Sequence, residues 1–397
     1  MDDSLRVQLR EEACMRFQEF LDSFTGLVEG SPVECLEAGA RYVIMSDLHM
    51  GDGGSRDDLV KNRALIRGVL RERYLEEGWT LVLAGDIEEL HKFGLPAIRR
   101  AWQPLYAVFD AFAARGGLRK IVGNHDLALL AEKDYPYELI HGLSLMYGER
   151  RLFCFHGHQA SRFFVKYNYL SDFIVRYLAK PLRIANTSIS KDSRQRFKAE
   201  NRIYKASKKI GIATVAGHTH RPLFESMSKY DSLRFTLEGL LRDYVGADGE
   251  GRGKIAERVD ALRREFDGLK KKERLNGLVR GLYEEKDFVI PCLFNSGCAT
   301  GKGGITAIEL VVPEVQAASG TLPEQDQAGS ASVRLVHWAE EGTSKAYLER
   351  EAIETEALAG TPWLRHVLRK EGLDSVFARI DLLGGGPTGE ELSRIAY

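Results

Sequence analysis

Residues 42–49, Tyr42-Val43-Ile44-Met45-Ser46-Asp47-Leu48-His49, pass from an apolar run into an acid and an imidazole two positions apart. A short apolar run with polar flanks suits a buried strand, which puts Asp47 and His49 in the loop at its carboxyl end. The same handover recurs four times downstream. Leu81-Val82-Leu83 leads to Gly85-Asp86, and Ile121-Val122 leads to Gly123-Asn124-His125-Asp126. Leu152-Phe153-Cys154-Phe155 leads to His156-Gly157-His158, and Thr214-Val215 leads to Gly217-His218-Thr219-His220. Six of the ten histidines lie in these clusters, beside Asp and Asn. Carboxylate, imidazole and amide oxygen are the donors that hold divalent cations, and five such clusters in one strand-then-loop context point to a dinuclear metal site.

Between the clusters the chain alternates. An amphipathic helix at 4–27 precedes strands at 41–46, 80–84, 119–122 and 151–155, which are separated by helical patterns at 58–77, 96–114 and 127–133. That order implies a mostly parallel sheet covered by helices, in which ligands collect at the carboxyl ends of strands. Three further β-like runs follow at 288–294, 305–312 and 333–337, and a loop rich in Ala, Gly, Ser and Gln spans 314–331. The expected division is an N-terminal helical extension over 1–40, a main domain over 41–340 and a helical C-terminal extension over 341–397.

Two stretches interrupt the alternation. Residues 160–210 read as helical and carry 13 Lys and Arg, from Arg162 to Lys209, against three acids, with aromatics such as Phe163, Tyr167, Phe173 and Tyr177 between them. Residues 229–287 are helical, with charges that nearly cancel, and suit packing or self-association into a homo-oligomer. Over the whole chain of 397 residues the formal charge is −1, which favours no class of charged partner. The five cysteines are scattered without a CxxC pair, as expected of free thiols in a reducing cytoplasm. The start, Met1-Asp2-Asp3-Ser4, lacks the basic and apolar regions of a secretory signal, and no apolar run approaches the roughly 20 residues that span a bilayer. The expected setting is the cytoplasm, at most peripheral at a membrane.

In their order and spacing the clusters resemble the calcineurin-like metallophosphoesterase superfamily. Its pattern of D-x-H, G-D-x-x-D/E, G-N-H-D/E, a lone His and G-H-x-H is matched here by Asp47-Leu48-His49, Gly85-Asp86-Ile87-Glu88-Glu89, Gly123-Asn124-His125-Asp126, His156 or His158, and Gly217-His218-Thr219-His220. Asn295-Ser296-Gly297 is similar to a later N-x-G turn. The resemblance implies a four-layer α/β/β/α sandwich that hydrolyses a phosphomonoester or phosphodiester. It implies one cation on Asp47, His49 and His220 and a second on Asn124, His156 and His218, bridged by Asp86. Mn²⁺ or Fe is the expected pair, with Zn²⁺ as an alternative, and a hydroxide bridging the pair would attack phosphorus in line. His125 would protonate the leaving oxygen or stabilise its charge, and Asp126 would orient that imidazole. His158, Arg162 and Arg221 are the substrate-side candidates.

The basic insert has three readings: a solvated face, a lid that steers an anionic substrate, or a nucleic-acid surface. As a lid, together with Gly217-His218-Thr219-His220-Arg221-Pro222, it resembles that of UDP-2,3-diacylglucosamine hydrolases, which split a lipid-linked pyrophosphate. Those enzymes typically carry arginine where this chain keeps His125. The alternatives are therefore a pyrophosphate hydrolase of that type, a nuclease of the same superfamily, and a metal-poor scaffold. Substrates could be nucleotide, lipid-linked or nucleic acid. Bland readings are expected elsewhere: His91 and His141 at the surface or in a satisfied core, Glu88 solvated or capping, and His337 and His366 structural.

Overall fold

The computed structural model describes residues 3–160, 193–227, 229–246, 248–275, 289–301, 303–314, 330–343 and 351–383. Thirteen strands occur among them: β1 Val33–Cys35, β2 Arg41–Met45, β3 Thr80–Ala84, β4 Leu118–Ile121, β5 Leu139–Ile140, β6 Gly142–Tyr147, β7 Arg150–Phe155, β8 Ala213–Ala216, β9 Leu293–Asn295, β10 Ile305–Val311, β11 Ser332–Glu340, β12 Glu354–Ala357 and β13 Trp363–Gly372. The α-helices are α1 Asp3–Gly30, α2 Arg63–Val69, α3 Leu95–Ala101, α4 Gln103–Ala114, α5 Ser193–Ile210, α6 Lys229–Gly246, α7 Gly249–Leu275 and α8 Leu373–Leu383.

The strands form two sheets, a five-stranded one ordered β1-β6-β7-β8-β9 and an eight-stranded one ordered β12-β13-β11-β10-β2-β3-β4-β5. Alternation along β2 and β3 explains how they stack. Tyr42, Ile44, Val82 and Ala84 join Leu143, Leu145, Leu152 and Cys154 in one core between the sheets. Their neighbours Val43, Met45, Leu81 and Leu83 face the opposite way and pack with Ile66, Trp102 and Phe109 from α2 and α4 and the turn between α3 and α4. On the far side of the smaller sheet, Phe24 of α1 meets Phe153 and Phe155 with ring centroids 5.8 and 5.4 Å apart. The result is an α/β fold of two sheets between helical layers.

Strands β2 to β5 pair in parallel, as do β7 to β9. Their carboxyl ends therefore open on the same edge of the sandwich, and all five clusters follow from them. The edges of the fold differ from the sequence reading. The N-terminal segment is helical but not an appendage, because Phe20, Phe24 and Val28 are buried and β1 adds a parallel edge strand to β6. The tail beyond 341, expected to be helical, instead supplies β12 and β13, antiparallel on β11, before α8. A buried charge hid β13. Arg365 of β13 is 1% exposed and sits against the carboxylate of Glu309 on β10, so the apolar alternation fails where the strand is most buried. Residues 161–192 of the basic insert, Arg162 among them, lie outside the described residues; its end, 193–210, is α5.

Candidate metal centre

Three of the five clusters turn sharply out of their strands on left-handed residues. Asp47, His49, Asp86, His218 and His220 all have left-handed backbone, with φ of 55°, 49°, 54°, 66° and 56°. Such residues cost roughly 1–3 kcal/mol each and persist only where the surroundings over-determine them. Here the loops brace one another. The amides of Asp47 and His49 donate to the carbonyls of Gly85 and Asp86, each at 3.0 Å, and Gly217 donates to His156 at 2.9 Å. Gly85 is required by both space and angle: its φ is 87°, and a Cβ there would lie 2.5 Å from the His156 ring. The turns send the side chains inward to one place.

The two central carboxylates share a pattern. Asp47 Oδ2 accepts from the Ser46 hydroxyl at 2.5 Å and from the His218 amide at 2.9 Å, while Oδ1 has no hydrogen-bond donor and lies 3.0 Å from His220 Nε2. Asp86 Oδ1 accepts from the His125 amide at 2.8 Å, while Oδ2 lies 3.1 Å from His156 Nε2 and 4.0 Å from His49 Nε2. One oxygen of each is thus tied to the protein and the other turned to the imidazoles. Asp47, His49 and His220 bring ligand atoms within 4.8 Å of one another, as do Asp86, His156 and His218.

Tautomers follow from the outer contacts. His156 Nδ1 lies 2.9 Å from the Ala84 carbonyl, so it carries a proton and Nε2 is the nitrogen turned toward the site. His49 Nδ1 lies 3.1 Å from Glu89 Oε2, which likewise leaves Nε2 facing inward, 3.0 Å from His220 Nε2. Among the described residues, the buried atoms without a hydrogen-bond partner include four in these loops: Asp47 Oδ1, Asn124 Oδ1, His156 Nε2 and His218 Nε2. Buried polar atoms are normally satisfied. These four are oxygen and imidazole donors around one centre, a set that fits divalent cations.

Charge tells the same story. Burial opposes ionisation of Asp86, yet His156 and His125 hold it well below the usual carboxylate range. Burial also opposes a charged His49, but Asp47 and Glu89 push it up to about 9. Asp86 does the same for His156, again to about 9, while burial and His156 press His218 down to about 3. Protons hold this cluster together where cations could.

Asp126, expected to orient His125, does something else. Its Oδ2 accepts from the Ile87 amide at 2.9 Å and from Lys120 Nζ at 3.1 Å, and its Oδ1 accepts from the Gly123 amide at 2.5 Å. It pins the loops from below. The carboxylate that meets the His125 ring is Glu89, 2.8 Å from Nδ1. Glu88, expected to be solvated, is fully buried and takes Lys120 Nζ at 2.7 Å with the hydroxyls of Tyr106 and Tyr135 at 2.9 and 2.7 Å. Lysine in the apolar run before Asn124 was the readable signal of this nest.

Among the remaining candidates, His158 is buried with its ring centroid 5.4 Å from that of His156. Arg221 is held against the buried carboxylate of Glu200 on α5, and the Thr219 hydroxyl donates to the same group at 2.7 Å. His141 is exposed; His337 meets the Gly303 carbonyl and His366 the Thr355 hydroxyl. His91 was read as a plain surface or core residue, but its ring lies 4.3 Å from that of His125.

No family model and no curated protein matches the chain. Solved structures similar to it include a predicted phosphoesterase from Streptococcus pneumoniae TIGR4, at 11% identity and a TM-score of 0.27, over 76% of this chain and 91% of that one. Vacuolar Protein Sorting 29 from Cryptosporidium parvum follows at 9% and 0.29, over 78% and 95%. Yfce, a phosphoesterase from E. coli, stands at 16% and 0.24, over 48% and 75%. Likenesses this distant carry no argument. What likens this chain to the calcineurin-like metallophosphoesterases is the ordered set of clusters and the edge of the sandwich where the strands bring them together.

Proposed function

We propose that this protein is a metal-dependent phosphoric ester hydrolase with two divalent cations. One would be held by Asp47, His49 and His220 and the other by Asn124, His156 and His218, with Asp86 between them. The observation that carries this reading is the gathering of Asp47, His49 and His220, and of Asp86, His156 and His218, into two sets whose ligand atoms lie within 4.8 Å of one another. Bound there, two cations supply positive charge to a phosphate and lower the pKa of the attacking water.

The rest of the work falls to the chain. Asp86 faces both sets of imidazoles with one oxygen, so it offsets the repulsion between neighbouring cations. Glu89 accepts the Nδ1 proton of His125, which leaves Nε2 to hold or deliver a proton at the leaving oxygen. Because Glu89 also meets His49, one carboxylate sets the tautomers of a ligand and of the proton donor. The Lys120–Glu88–Asp126 nest holds the second and third loops rigid beneath them.

The test pairs metal analysis with a hydrolysis screen over mono- and diesters, nucleotides, UDP-sugars and nucleic acid in added Mn²⁺. The wild-type protein should bind about two cations and turn over at least one ester class, and Asp86→Ala should lose both. Full activity of a metal-free Asp86→Ala preparation would sink the proposal. Among the described residues no helix is long and apolar enough to cross a membrane.

A further inference from the structure

His91 lies outside the ligand set and outside every motif, yet the structure fastens it to two motif residues. Its imidazole rests on that of His125, with ring centroids 4.3 Å apart and planes tilted by 36°. The ring is also hydrogen-bonded to the Asn124 backbone, and the Leu90 amide donates to the His125 carbonyl at 3.2 Å. Glu89, two positions earlier, meets the His125 ring from its own side. Residues 89–91 are therefore stitched across 124–125. For all that, His91 is exposed, whereas the ligand candidates on the same loops are nearly all buried.

The position has a chemical meaning if the site acts as proposed above, a reading on which this inference rests. In an in-line displacement the leaving oxygen departs opposite the attacking water, so the proton donor marks the leaving-group side. His125 is that donor. A flat ring tilted against it and open to solvent is placed to meet the departing alcohol. We propose that His91 is a specificity-determining residue that stacks on the ring of an aryl or nucleoside leaving group.

The experiment measures binding rather than turnover. Calorimetry on the Mn²⁺-loaded protein compares inorganic thiophosphate with adenosine 5′-thiomonophosphate, which carries the same phosphoryl group and a nucleoside. Thiophosphate reads the metal centre alone; the ratio of the two affinities reads the leaving-group side. His91→Ala should leave thiophosphate affinity and Mn²⁺ content unchanged and weaken the nucleoside ester about three- to tenfold, the usual worth of one aromatic stack. His91→Phe should restore it, because a ring stacks without the imidazole's hydrogen bond. Equal losses for both ligands, no loss for either, or a Phe variant as weak as Ala would each overturn the role given to His91 while leaving the hydrolase reading intact. If the loaded wild type binds neither ligand, the hydrolase reading falls and His91 falls with it.

Discussion

Two buried charged clusters sit along the larger sheet, and they are finished differently. On one side Arg365 lies against Glu309, which also accepts from Tyr74 at 2.8 Å, and Trp338 donates to the Tyr74 hydroxyl at the same distance. On the other, the Asp47 and Asp86 carboxylates gather imidazoles yet leave four donor atoms unanswered. Both clusters bear the cost of taking charge out of water. On the Arg365 side the cation meets its carboxylate within the protein; on the histidine side Asp47 Oδ1, His156 Nε2 and His218 Nε2 have no hydrogen-bond partner.

Substitution should separate the two. The largest effect is expected at His125. His125→Ala removes the proton donor but no ligand, so turnover should fall by about 10²–10⁴ while cation content holds. An unchanged rate on a substrate with a poor leaving group would remove that role. Next comes Arg365→Met, which leaves Glu309 buried without its cation. Urea unfolding should show a loss of about 3–5 kcal/mol, with cation stoichiometry and turnover per folded molecule unchanged. If activity fell instead, the two clusters would not be separable.

Glu89→Gln is milder, since it keeps the shape and removes the charge behind both His49 and His125. Steady-state kinetics and metal titration should show a loss of roughly 10–100-fold in activity or cation affinity. The smallest effect is in pH. Without cations, His49 and His156 are held up to about 9, above the ordinary histidine value of 6.5. Their protonation stabilises the cation-free fold fully below pH 6.5, and this contribution disappears as pH rises through about 9. Cations need the neutral rings, so Mn²⁺ binding at pH 7.5 should release protons and tighten up to about tenfold per pH unit for each proton released. Calorimetry in buffers of different ionisation heat reads that release; none at pH 7.5 would contradict the charge pattern.

What could be read in the sequence followed from how local each signal was. The five clusters were legible because strand, turn and ligand are adjacent in the chain, so Asp47 and His49 announce themselves within eight residues. Glu89 was matched to the second motif but given no contact, because its two imidazoles lie 40 and 36 residues away in the chain. Asp126 was misassigned for the converse reason: it neighbours His125 in the chain but points beneath it, to Lys120 and two amides. Strand β13 was missed because Arg365 breaks the apolar alternation, and Glu309, on a strand far off in sequence, makes a charge there tolerable. His91 carried no local signal at all.

The left-handed residues bear on anyone who would move this centre to another scaffold. Five of the candidate side chains stand on backbone that an ordinary helix or strand does not present, with φ between 49° and 66°. A transplant that copied only side-chain identities would aim the imidazoles elsewhere. The portable unit is the set of turns together with the glycine and amide contacts that brace them, so the centre would have to be grafted as loops rather than as point substitutions.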